Sequence, residues 1–336
     1  MKRSILGLMY LIQGMKHAGI AVDERLASIG LHSQSLDPNS IIHPDLEWDI
    51  QKLLAKDVPV EVGLDIGQHY ALAGYGPLLM LLVTSETVQC ALDQGIQYQS
   101  LTHLSGCLRY DVSAGKIHLR YLPKHLDQAE GIFRAQCEIA GTLKFLKDLS
   151  HMVNLGFPHV EVSLPFVAPD DAQLLQHYQH YYGHDVKFNA VEAVFSLDQK
   201  FIALAIPSSD PITHRLYEEK CQIQMRHLDA QGSQQPLIQR VQDYLDLQKG
   251  AMPSMVETAQ ALNIPERTLR HQLQQLNTSF KEIREQLIKY KALRLIEYKE
   301  YSIEVIAEML GYSEPAAFNH AFKRWFGQSP RQYGKS

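Results

Sequence analysis

Ile303-Glu-Val-Ile-Ala-Glu-Met-Leu-Gly-Tyr-Ser-Glu-Pro-Ala-Ala-Phe-Asn-His-Ala-Phe322 reads as a short helix, a turn at Gly311 and a second helix. The same plan occurs upstream, in Met255-Val-Glu-Thr-Ala-Gln-Ala-Leu-Asn-Ile-Pro-Glu-Arg-Thr-Leu-Arg-His-Gln-Leu273. Each copy has a small residue, Ala259 or Ala307, four positions before its turn residue, where two helices can cross closely. The turn residues are Asn263 and Gly311, the two types that best tolerate a left-handed backbone. Leu269 and Leu273 in one copy, and Phe318 and Phe322 in the other, recur at i,i+4 and so share an inner face. This is the helix-turn-helix plan, whose second helix can enter the DNA major groove. One such pattern is weak evidence; two in tandem are strong.

The segment between the copies fits that reading. Residues 281–299 form about 19 residues of helix, roughly 28 Å at 1.5 Å per residue. That length can hold two reading heads near the ~34 Å repeat of successive major grooves. Ser279-Phe-Lys-Glu282 fits a capping box, Ser313 stands as an N-cap candidate, and Ser329-Pro330 puts Pro at a first helical position.

Moving outward, the polar run Asp229-Ala-Gln-Gly-Ser-Gln-Gln-Pro236 has no apolar period and reads as a linker. It separates an expected N-terminal domain, 1–230, from an expected DNA-binding domain, 236–336, with helix-turn-helix units at about 253–276 and 302–326. The chain has 336 residues and a formal charge of −5, which averages two unlike parts. Residues 235–336 hold 14 Lys+Arg against 11 Asp+Glu, or +3, and residues 1–234 hold 18 against 26, or −8. The mild overall acidity therefore does not exclude nucleic acid. Residues 4–100 read mainly as helix. Alternation at Leu108-Tyr110-Val112 and Ile117-Leu119-Tyr121 around Ser113-Ala-Gly-Lys116 predicts a β-hairpin. A helix at about 136–153, a strand near Val160–Leu164, a helix at 170–182 and short strands near 185–188, 192–197 and 200–205 complete the region. The expected fold is thus an α+β N-terminal domain followed by an all-α C-terminal domain, its two helix-turn-helix units joined by a linker helix.

Other classes find little support. Apolar content of 45% and charged content of 21% are those of an ordinary globular chain. Cys90, Cys107, Cys137 and Cys221 lie far apart without a C-x-x-C pair, as expected of reduced thiols in a cytoplasmic protein. Lys2-Arg3 before Ile5–Ile12 imitates a signal peptide, but Gln13, Lys16 and His17 follow at once, and an amphipathic first helix is expected instead. No membrane partner is expected. His177, His180 and His184 approach metal-ligand spacing, yet Gly183 should end the helix and no Cys or close carboxylate pair completes a shell. Neither a phosphate-cradling loop nor a nucleophile elbow occurs. The chain is therefore expected to be no enzyme and to carry no cofactor and no metal.

The second unit resembles the AraC/XylS family of bacterial transcription regulators almost position for position over Gly311–Tyr333, and Arg267–Leu273 with Thr278-Ser-Phe280 matches the first unit. The N-terminal region resembles the arabinose-binding-type sensor domain of the branch that contains an ornithine-utilisation regulator. Gly76-Pro77, Thr84–Thr87, Pro158–Phe166, Tyr178–Gly183, Val186–Phe188 and Pro207–Pro211 carry that likeness. The resemblance implies a sequence-specific regulator that binds double-stranded promoter DNA as a homodimer, touches RNA polymerase if it activates, and answers to a small organic effector. By the same resemblance Arg267, Arg270, His271, Ala316, Asn319 and His320 face bases, while Lys323 and Arg324 suit phosphates. His271 and His320 stand where many members have Arg, so an operator affinity that rises as pH falls toward 6 is expected of their imidazoles. The branch suggests a carboxylate effector, such as a fatty acid or an amino acid, held by Arg109, Arg120 or Arg134. Two other readings stay open: a ligand-independent architectural DNA binder, and an enzyme domain fused to a DNA-binding domain.

Overall fold

The computed structural model of the chain describes residues 2–38, 40–229, 236–297 and 301–334. Of the expected linker, residues 230–235 lie outside the described residues, as do the last residues of the expected 281–299 helix. Two compact units emerge. One is formed by Met1–Ile5, Ala21–Leu54 and Gln231–Ser336, the other by Leu6–Ile20 and Ala55–Ala230. The linker thus does not bound the first unit alone, because two N-terminal segments join the helix-turn-helix region.

The larger unit is built on one long helix and one sheet. Strands Cys107–Ser113, Lys116–Leu122, Ala193–Asp198 and Glu161–Ser163 lie side by side in that order, all antiparallel. Leu119 stands opposite both Tyr110 and Phe195, and Val162 opposite Phe195, which sets one apolar face. Ile117, Leu119 and Tyr121 on that face are buried, as the alternation requires. The expected hairpin turn is present, with Ala114 at φ 51° and Gly115 at φ 74°.

Helix Ala129–Met152 belongs to the same core. Helix Val62–Gly67 packs closely on it, because Gly63 and Gly67 bring backbone to backbone. A Cβ on Gly63 would lie 2.5 Å from the Phe133 carbonyl oxygen, and one on Gly67 would lie 2.4 Å from that of Cys137. The N-terminal apolar run forms helix Leu6–His17, burying Leu8, Leu11, Ile12 and Met15 as an amphipathic helix would. Two expected strands are absent as such. Residues Gln199–Ala203 form a 3₁₀ turn in which Asp198 Oδ1 accepts from the Lys200 N–H at 2.8 Å. Residues 185–188 touch the sheet through a single bridge, Ser163 with Lys187.

The smaller unit gathers the helix-turn-helix region around helix Pro236–Leu245. The N-terminal segments fix that helix through long-range bonds. Lys2 Nζ pairs with Asp243 Oδ1 at 2.7 Å, both side chains about 5% exposed or less. Burial raises the Asp243 carboxyl above its ordinary range, and Lys2 pulls it back down. The Tyr244 hydroxyl donates to the Ile29 carbonyl, and Gln248 Nε2 donates to the Gly30 carbonyl at 3.1 Å. Main-chain bonds run from Asp37 N–H to Leu247 O (2.8 Å) and from Lys249 N–H to Ser35 O (2.7 Å). Strand pair Arg3–Ser4 and Ile41–Ile42 closes the arrangement. Among the described residues no helix is long and apolar enough to cross a membrane.

Candidate nucleic-acid interface and sensor cavity

The first helix-turn-helix starts at Ser254, whose hydroxyl accepts from the Glu257 N–H while Glu257 accepts from the Ser254 N–H. This reciprocal cap holds the Glu257 carboxyl below the usual range. Helix Met255–Ala261 follows, with Ala259 buried at the crossing. Asn263 takes the left-handed turn position at φ 53°. The second helix is Glu266–Gln275, and its N-cap, Pro265, makes no side-chain cap bond. Leu269 and Leu273 are buried, so the opposite face is presented outward. Arg267, Arg270, His271 and Gln274 lie on that exposed face at i, i+3, i+4 and i+7.

The second unit repeats the plan with one more residue in its turn. Ser302 caps helix Ile303–Met309 by accepting from the Val305 N–H. Gly311 sits at φ 79°, and a Cβ there would lie 2.6 Å from the Gly250 carbonyl oxygen. The recognition helix is Pro315–Phe326. Its N-cap is Glu314 rather than the expected Ser313, with no side-chain cap bond. Pro315 at N1 has no N–H to satisfy, which lessens the need for one. Phe318 and Phe322 are fully buried, their rings 5.7 Å apart, and Phe326 and Tyr333 stack around Phe322. Ala316, Asn319, His320 and Lys323 then share the outer face, three of them exposed and Asn319 half-buried.

The two outer faces correspond residue for residue. Leu269 and Leu273 become Phe318 and Phe322 on adding 49, and Arg267, Arg270, His271 and Gln274 become Ala316, Asn319, His320 and Lys323. Gln274, absent from the residues expected above, shares the exposed face of Arg267, Arg270 and His271, as its i+7 spacing from Arg267 requires. Two of the named readers are engaged within the protein. Arg270 Nη2 lies 2.6 Å from Glu266 Oε1, and Asn319 Nδ2 donates to the Pro315 carbonyl at 3.0 Å. Each is free to bind another group only on leaving that partner. Arg324 is 72% exposed and 3.9 Å from Glu285, loose enough to be available to a phosphate.

Helix Phe280–Glu297 connects the units. Its Ser279–Glu282 capping box is formed as expected. Glu285 on this helix accepts from Trp325 Nε1 at 2.7 Å and pairs with Lys289 at 3.3 Å, tying the connector to the end of the second recognition helix. Those contacts, Lys289 first, hold the Glu285 carboxyl below its ordinary range.

The larger unit contains a cavity of about 140 Å³. Its wall is apolar, with Leu78, Leu82, Leu92, Leu119, Phe145 and Ile206 among its members, and no Asp, Glu, Lys or Arg lines it. The three arginines expected to hold an effector carboxylate are elsewhere. Arg109 pairs with Glu192 at 2.8 Å, and Arg120 pairs with Asp111 and, at 3.4 Å, with Glu192. Arg134 is buried against Glu138 Oε1 at 2.8 Å. Each guanidinium is thus already matched to a carboxylate of the protein. His177 hydrogen-bonds Asp65 at 2.8 Å, Gly183 ends its helix, and no group of three metal-ligating side chains occurs among the described residues. All four cysteines are free, Cys137 and Cys221 buried.

Comparison with known proteins bears on both parts. The family model "Helix-turn-helix domain" matches residues 258–336. The model "Arabinose-binding domain of AraC transcription regulator, N-term" matches residues 19–206, more than half of the chain. The Ornithine utilization regulator of Pseudomonas aeruginosa is 24% identical over 81% of this chain and 78% of its own length. The regulator VqsM of the same organism is 25% identical over 84% of this chain and 86% of its own. The crystal structure of the P. aeruginosa transcriptional regulator CdpR covers 94% of this chain and 96% of that one at 20% identity, with a TM-score of 0.44. The matched helix-turn-helix region, together with the matched domain ahead of it, makes this a DNA-binding transcription regulator: the chain belongs to the AraC family.

Proposed function

We propose that each protomer reads two successive major grooves, with Arg267, Arg270 and His271 on base edges in one and Ala316, Asn319 and His320 in the next. Lys323 and Arg324 hold the phosphate backbone, and Gln274 joins the first reading face. The supporting observation is the constant offset of 49 between the two outer faces, each backed by a buried pair of side chains. Helix Phe280–Glu297, 18 residues and so about 27 Å long, suits that spacing.

Counted over its whole compact unit, the reader carries 18 basic against 17 acidic residues, a net +1. Non-specific attraction to phosphates is therefore weak, and affinity depends on the two reading faces. Arg267→Ala and Asn319→Ala are each expected to weaken operator binding by about 1–3 kcal/mol and to relax the preferred base at one position. Lys323→Ala is expected to weaken all sequences alike and to flatten the salt dependence by about one counterion. Titrations of wild-type and scrambled operators across salt concentrations distinguish these outcomes, and unchanged base preference in both alanine variants would remove the assignment.

In this reading the protein acts by binding, without a reaction of its own, in the cytoplasm and as a homodimer. A small organic effector favours one arrangement of the chain over another and so changes promoter occupancy. Contact with RNA polymerase follows where the outcome is activation.

A further inference from the structure

We propose that the cavity of the larger unit takes an uncharged, mainly apolar molecule about the size of one substituted aromatic ring, and not an amino acid, a fatty acid carboxylate or a sugar. The inference rests on the sensing role proposed above and names the chemistry of its ligand.

Size comes first. A volume of about 140 Å³ is close to that of an apolar cavity that binds benzene, which sets a ligand on the order of six to ten non-hydrogen atoms. Chemistry narrows it further. A carboxylate or an ammonium group in this cavity would lose its water and meet no opposite charge on the wall. Arg134, the nearest of the expected clamps in sequence to the lining residue Thr142, gives its Nε–H to Glu138. Glu138 in turn accepts from the Tyr121 hydroxyl and from the Ser105 N–H at 2.8 Å, so this ion pair is closed on itself.

The polar groups that do line the cavity direct their protons into the protein. His103 Nε2 lies 3.1 Å from the Glu138 carbonyl oxygen, which can only accept, so that nitrogen carries the proton. In the neutral ring Nδ1 is then an acceptor and receives the Tyr75 hydroxyl. Burial holds the Tyr75 phenol well above its ordinary range, so it stays neutral. Thr142 Oγ1 donates to the Glu138 carbonyl at 2.7 Å, and Thr102 Oγ1 donates to the Gln99 carbonyl at 2.6 Å. Ser150 is the remaining hydroxyl-bearing residue of the wall. One neutral hydroxyl does not offset the desolvation of a carboxylate, nor match the several hydroxyls of a sugar. The Thr142 and Tyr75 oxygens can accept one hydrogen bond from a ligand, which suits one with a single O–H or N–H, whereas Thr102 Oγ1 already accepts from the Leu104 N–H at 3.2 Å.

Gly95 offers a way to block the site. It lines the cavity, and a Cβ there meets only Leu82 Cδ2, at an ordinary 3.9 Å. Gly95→Phe and the smaller Gly95→Leu therefore place bulk in the cavity without a backbone clash, and both favour the helix that carries them. The test is a thermal melt of the full chain with indole, p-cresol or benzyl alcohol, beside ornithine, octanoate and arabinose, followed by operator titration. At ten times its Kd, at least one neutral probe is expected to raise Tm by about 2–4 °C, with no shift from the other three. The shift should vanish in Gly95→Phe and Gly95→Leu, whose far-ultraviolet dichroism and ligand-free melting report their folding. A shift from ornithine, octanoate or arabinose that Gly95→Phe removes would overturn the proposal while leaving a sensing role intact. Absence of a shift from all three neutral probes would overturn it as well. A neutral probe that shifts Tm but leaves operator affinity unchanged would keep the ligand class and remove the sensing role.

Discussion

A fragment of residues 236–336 alone is expected to lose about 5 kcal/mol or more of stability relative to the same region in the full chain, enough to leave it largely unfolded at 37 °C. The helix-turn-helix region is tied to the N-terminal segments of the smaller unit: helix Pro236–Leu245 packs against strand Ile41–Ile42, and main-chain bonds join Asp37 to Leu247 and Ser35 to Lys249. The fragment also strands groups that the full chain satisfies. Asp243 loses Lys2, the Tyr244 hydroxyl loses the Ile29 carbonyl, and Gln248 loses the Gly30 carbonyl. A buried charge left without its partner costs about 3–5 kcal/mol unless water reaches it. The total is comparable to the whole stability of a domain this size. Circular dichroism melts of the fragment, and of a version carrying residues 1–54 ahead of it, measure this. Equal melting temperatures would contradict the arrangement of the smaller unit.

Gly311→Ala is expected to destabilise the second helix-turn-helix by about 3 kcal/mol, whereas Asn263→Gly should change stability by a few tenths. Both residues occupy the left-handed turn position, at φ 79° and 53°. Their surroundings differ. A Cβ on Gly311 meets the Gly250 carbonyl oxygen at 2.6 Å, its carbon at 2.8 Å and Ala251 Cα at 3.0 Å, all backbone atoms that cannot turn aside. The Gly250 N–H is itself held by the Met309 carbonyl at 3.0 Å. Conformation accounts for about 1 kcal/mol of the cost and the forced backbone shift for the rest. Denaturant melts of the two variants compare them directly. The Gly311→Ala chain should also lose contacts at the second half of its operator and keep those at the first.

The legible parts of this protein are the local ones. The tandem helix-turn-helix, the capping box at Ser279, the helix start at Pro330, the hairpin around Ala114-Gly115 and the buried stripes Leu269/Leu273 and Phe318/Phe322 all follow from spacings within one or two turns. What escaped depends on partners far along the chain. Lys2 meets Asp243 across 241 positions, so nothing near the linker hints that residues 1–5 and 21–54 belong with the reader. The apolar run Phe201–Ala205 reads as a strand, yet the Asp198 carboxylate caps a tight turn there instead. For the effector, arginines were the natural candidates from sequence, because a carboxylate needs a cation. Glu192 is a partner that only the fold brings near Arg109 and Arg120, whereas Asp111 lies across the hairpin from Arg120 and Glu138 one helical turn from Arg134. The apolar wall leaves no mark in the sequence, since its members are ordinary core residues drawn from many elements.

Methylation-interference footprinting of the full-length protein on the DNA upstream of its own gene tests the two-headed reading most directly. For each protomer two clusters of interfering bases are expected, about 10 base pairs apart on one face of the duplex, with Arg267→Ala erasing signals in one and Asn319→Ala in the other. A single cluster per protomer, or protection that is the same on unrelated DNA, would contradict it.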